Sequence, residues 1–78
     1  MNKQMEEHYK LTCDVASRAI MFCACKAALS EAYRVGHAVT GPHCEELRGH
    51  MHDAEKRLDK AVEELESWLK EQGAGNDV

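Results

Sequence analysis

The sequence predicts an all-α fold: an antiparallel two-helix hairpin that associates into a dimeric four-helix bundle. Three observations predict it. Two long stretches carry apolar residues at steps of three and four, the helical period. A short connector, Gly36-His-Ala-Val-Thr-Gly41, separates them and forces the helices to lie antiparallel. The first stretch is apolar on two opposite faces, which one partner helix cannot cover.

The first helix is expected over residues 3–35, rich in Ala and free of internal Gly or Pro. One row runs Tyr9, Cys13, Ala16, Ile20, Cys23, Ala27 and Ser30. A second, displaced by two residues and so by about 200°, runs Leu11, Val15, Phe22, Cys25, Leu29 and Ala32. Which of the two meets the second helix is left open by the sequence. Arg34 favours the negative end of the helix dipole, and Gly36 can take the left-handed cap.

The connector occupies residues 36–41. The second helix is expected over residues 42–72, with Gly41 or Thr40 as N-cap and Pro42 at the first position, where its missing donor costs nothing. Glu45 and Glu46 lie at the positive end of the dipole. Cys44, Leu47, Met51, Ala54, Leu58, Ala61, Leu65 and Trp68 then form an unbroken heptad stripe, widened by Val62 and Leu69. On the outer face Asp53–Arg57, Lys60–Glu64 and Glu66–Lys70 are spaced for ion pairs. Gly73 ends the helix, and residues 73–78 read as a flexible tail.

Residues 1–78 make a single helical-hairpin domain, near the size at which a lone core is marginal. The net charge is −4, and residues 42–72 carry nine acids (among them Glu55, Asp59, Glu63 and Glu71) against five bases. That balance argues against broad binding to nucleic acid or anionic membrane and fits a basic protein surface better. Glu6 and Glu7 sit where a signal peptide would be apolar, and the longest apolar run, Ala19 to Cys25, cannot span a bilayer. A cytoplasmic protein with reduced cysteines is expected.

The cysteines invite a metal or redox reading. On a helix the Cys23 and Cys25 side chains diverge by about 200°, so the pair cannot chelate one ion. The weak metal candidates are His37, His43 and Cys44, ligand types that zinc accepts, gathered around the connector. The heptad independently explains Cys44 as a core position, and no two histidines fall at i,i+4 on the helix. No metal and no other cofactor is expected. Cys44 near a helix N-terminus could be activated, but a hairpin offers no concave pocket for a base and an oxyanion site. The chain is therefore read as not an enzyme.

Trp68 is expected to pack against the start of the first helix near Tyr9 and Lys10. Tyr33, Arg34 and Arg48 form a candidate partner contact at the connector end. The candidate self-interface comprises Leu11, Val15, Phe22, Cys25 and Leu29 from one row, and Ala16, Ile20, Cys23 and Ala27 from the other.

The function expected is that of a small non-enzymatic interaction protein: a helical homodimer that binds and modulates or inhibits another protein, in the manner of phage- or plasmid-type inhibitors of host machinery. The layout of two helices, a short turn and an acidic tail resembles the plasmid copy-number protein Rop. That resemblance covers architecture and no motif, and it implies an alternative, an RNA-binding dimeric hairpin. A basic patch for RNA would have to arise across the dimer from Lys3, Lys10 and Lys26. A second alternative is a metal-responsive dimer using His37, His43 and Cys44.

Overall fold

Asn2 starts the first helix: its backbone is extended (φ −80°, ψ 167°) and its side-chain Oδ1 accepts a 2.8 Å hydrogen bond from the Met5 amide. The computed structural model describes residues 2–73, so the tail read over residues 73–78 lies outside the described residues beyond Gly73. Helix α1 spans Lys3–Arg34 and helix α2 spans Pro42–Glu71. No strand occurs among the described residues.

Gly36 ends α1. Its φ of +98° is a left-handed conformation that a Cβ disfavours. Two bonds close the end: the Gly36 amide donates to the Tyr33 carbonyl (3.1 Å) and the His37 amide to the Ala32 carbonyl (3.0 Å). This is the Schellman arrangement, and it turns the chain sharply. The Gly41 amide donates to the Ala38 carbonyl at 2.9 Å, tightening the connector. A Cβ on Gly41 would meet that carbonyl oxygen at 3.1 Å, so glycine suits the approach. Gly41 is the N-cap of α2, and Pro42 follows in the first turn.

The helices run antiparallel along a rod of 51 × 24 × 18 Å. The row of α1 that meets α2 is Leu11, Val15, Phe22, Cys25, Leu29 and Ala32. Leu29 and Ala32 are buried and the other four half-buried. From α2, Cys44, Ala54 and Ala61 are buried, and Leu47, Met51, Leu58, Leu65 and Trp68 are half-buried. The α2 heptad therefore faces α1 along its whole length, with small residues at the tightest contacts. Leu29, Ala32 and Cys44 form the densest cluster, flanked by Leu47 and Met51.

The structure corrects one expectation on α2. Of the ion pairs expected on α2, none is closed among the described residues; the closed pairs are Asp14–Arg18, Glu31–Arg34 and Glu46–His50. Exposed pairs gain little Coulomb energy in water and lose side-chain entropy, so spacing alone does not close them. Trp68 packs at the start of α1 as expected, lining one hollow with Tyr9 and another with Lys10 and Leu11; its hydrogen-bond and ring partners there are Glu7 and His8. Its indole Nε1 donates to Glu7 Oε2 at 3.0 Å, and the His8 ring lies 5.3 Å away, tilted 36°.

Candidate interaction face

The second apolar row of α1 points away from α2. Tyr9, Cys13, Ala16, Ile20, Cys23 and Ala27 are all exposed, Tyr9 to 63% and Ile20 to 70%. The cause is angular. At 100° per residue this row is centred about 180° from the row that α2 covers. Between Tyr9 and Ser30 no charged residue falls within about 60° of the row's axis at that spacing; Thr12, Ala24 and Ser30 flank it. At about 1.5 Å per residue the uncharged strip runs roughly 30 Å. A face of this length on a small chain is larger than the scattered exposed apolar residues of ordinary surfaces.

The side chains on the strip are not uniform. Ile20 and Tyr9 project from a floor of Ala and Cys. The neighbouring Cys13 thiol, one turn along, holds the Tyr9 phenol above its ordinary range of about 10.0. Cys23 is exposed and Cys25 half-buried, the divergence that helical geometry demands of a C-x-C pair. The strip can bury apolar area against a complementary surface.

At its N-terminal end the strip meets a shallow hollow of about 390 Å³ lined by Gln4, Met5, His8, Tyr9, Thr12 and Trp68. Gln4 hydrogen-bonds Gln72 across the helices here. Trp68 is thus held by Glu7 and lines the hollow. The heptad placed Trp68 in the core, but nothing in the sequence singles out Glu7 as its acceptor.

The connector end brings Tyr33 and Arg48 together and leaves Arg34 apart. Arg48 Nη1 donates to the Tyr33 hydroxyl (3.0 Å) and to the Val39 carbonyl (2.8 Å), clasping the connector to both helices. Arg34 turns instead to Glu31, its Nε donating to the carboxylate at 2.9 Å. That guanidinium holds the Glu31 carboxyl below the ordinary glutamate range, and the carboxylate raises the Arg34 pKa in turn.

The three metal candidates are divided by the fold. His37 and His43 stand side by side, ring centroids 4.4 Å apart and tilted 41°. Cys44 is fully buried on the other side, in the Leu29 and Ala32 cluster. Position 43 lies about 100° around the helix from position 44, so an outward His43 puts Cys44 inward. Among the described residues no three His, Cys, Asp or Glu side chains are grouped so as to hold an ion. No described helix is long and apolar enough to cross a membrane.

No protein family, curated protein or solved structure matches this chain.

Proposed function

We propose that this chain is a small non-enzymatic interaction protein that works as a homodimer and binds another protein through its acidic second helix. The observation that carries the reading is the exposed Tyr9–Ala27 row. The hairpin has spent one apolar face of α1 on α2 and holds the opposite face in water. Among the described residues five are buried, and three of them are alanines.

An uncharged apolar strip of roughly 30 Å left in water on α1 supports self-association. Burying the outer row against a second α1 places four helices together, with the two α1 helices central and each α2 on the outside. The half-buried seams between α1 and α2 remain beside them.

The outward position of α2 sets the second half of the proposal. All nine acids of residues 42–72 are exposed, so a dimer presents two acidic flanks suited to a basic protein surface. Occupying such a surface would modulate or inhibit the protein that bears it.

Light scattering over a dilution series tests the dimer: twice the chain mass at high concentration supports it, and one chain mass throughout contradicts it. Capture on the immobilised protein with stepwise salt elution tests the partner. Elution of a defined basic protein at moderate salt, at one copy per protomer, supports the reading. Recovery of nothing beyond the chain itself contradicts it.

A further inference from the structure

The geometry points to a specific docking mode for the second copy: two α1 helices pack antiparallel about a dyad at the level of Arg18, placing Cys13 of each chain beside Cys23 of the other, where a disulfide oxidant can lock the dimer. We infer this on the reading that the outer row is a self-contact, and the inference adds its direction, its register and a redox-sensitive site.

Side-chain size decides the direction. About the level of residue 18, the row reads onto itself in reverse: Tyr9 falls opposite Ala27, Ile20 opposite Ala16, and Cys13 opposite Cys23. Each projecting side chain then meets an alanine, and the intermediate-sized thiols meet each other. A parallel pair would set Ile20 on Ile20 and Tyr9 on Tyr9, with alanine gaps between them, and unfilled gaps forfeit contact energy.

Charge points the same way. The half of α1 before the dyad holds Lys3 and Lys10 against Glu6, Glu7 and Asp14, a net of −1; the half beyond Arg18 holds Lys26 and Arg34 against Glu31, a net of +1. Antiparallel packing sets the negative half beside the positive one. The two helix dipoles also oppose.

The cysteine geometry is compatible with a bond. Each lies about 40° from the axis of the row, on opposite sides of it. With Cα atoms about 2.3 Å from each helix axis and axes about 8–9 Å apart, the facing Cα atoms come to about 5–6 Å. That lies within the range of roughly 4.4–6.8 Å that disulfides span. Both thiols are exposed in the hairpin, and neither belongs to the buried cluster. In the reaction, a low-molecular-weight disulfide such as glutathione disulfide is attacked by the Cys13 thiolate and releases one thiol. The Cys23 thiolate of the second copy then displaces the other. One sulfur–sulfur bond forms between chains, the oxidant's bond breaks, and its two sulfurs leave as thiols with the two protons. The symmetry makes two such bonds per dimer.

The test uses the full chain in a Cys25→Ala background, with the buried Cys44 retained, and compares Cys13→Ser, Cys23→Ser and their equimolar mixture in a glutathione redox buffer. The inference expects neither variant to cross-link alone, and about half of the chains in the mixture to run as a covalent dimer. In concentrated urea that preference should vanish. Cross-linking of each variant with itself overturns the antiparallel register. So does a mixture that stays uncross-linked while light scattering shows a dimer; in both cases the dimer reading survives. A monomer at every concentration overturns both. Circular dichroism, with Cys→Ala versions at both positions, checks that each variant keeps its helices.

Discussion

Ile20 and Leu29 lie on opposite sides of the same helix. Nine residues separate them, which at about 100° per residue is a half turn, and Ile20 is 70% exposed where Leu29 is 8% exposed. Leu29 closes the cluster with Ala32 and Cys44, while Ile20 stands at the middle of the uncovered row. Leu29→Ala should therefore lower stability in urea by about 2–3 kcal/mol, as for a truncated core leucine. For a lone hairpin, Ile20→Ala should change stability by less than about 0.5 kcal/mol. With the outer row buried against a second copy, the loss should approach about 2 kcal/mol per chain, and Ile20→Lys should yield monomers. An Ile20→Lys protein that still scatters as a dimer would place the self-contact elsewhere.

Cys44 should be the last thiol to react with a labelling reagent. It is fully buried beneath the first turn of α2, while Cys13 and Cys23 are exposed in the hairpin. Its modification should track global unfolding, and Cys44→Ser should cost about 1–3 kcal/mol by burying a hydroxyl among apolar neighbours. Mass spectrometry of partially labelled protein reads the order. Labelling of Cys44 as fast as Cys23 under native conditions would contradict the packing.

Gly36 and Gly49 should respond oppositely to alanine. Gly36 has φ +98°, so Gly36→Ala should destabilise by about 1 kcal/mol through strain, although no atom lies within 4 Å of the added Cβ. Gly49 sits inside α2 with nothing within 4 Å of its added Cβ, so Gly49→Ala should stabilise by about 0.5–1 kcal/mol. Thermal melts of the two variants, displaced in opposite directions, check both ends of the statement.

Arg48 ties the connector down through the Tyr33 hydroxyl and the Val39 carbonyl. Arg48→Ala should cost about 1 kcal/mol and speed amide exchange over residues 36–41, with little effect near Trp68. Tyr33→Phe should reproduce a fraction of that change. Unchanged exchange in the connector would mean that the Gly36 turn alone holds it.

Much of the hairpin is written in local signals. Gly36, Gly41 and Pro42 mark the turn, so expected bounds of 3–35 and 42–72 fall within one residue of the observed helices. The α2 stripe was legible because its other faces are charged, leaving one way to bury it. Helix α1 gave no such contrast, since both rows are apolar. The choice between them follows from fit across the two helices, as where Leu29 and Ala32 close on the small Cys44. That is a pairwise property of two helices and has no signature in either alone. Spacing gathers His37, His43 and Cys44 around the connector, yet His37 stands beside His43 alone, because the Leu29 cluster takes Cys44 inward. The Glu7 contact of Trp68 depends on register to a fraction of a turn, finer than a connector length sets.

Sedimentation velocity from micromolar to nanomolar concentration, with helicity followed in parallel, tests most directly whether the outer row of α1 needs a second copy. The expected result is a dimer at high concentration that loses helix as it dissociates, because a hairpin with five buried residues among those described lacks the core to stand alone. A particle of one chain mass, fully helical at the lowest concentration, would contradict it.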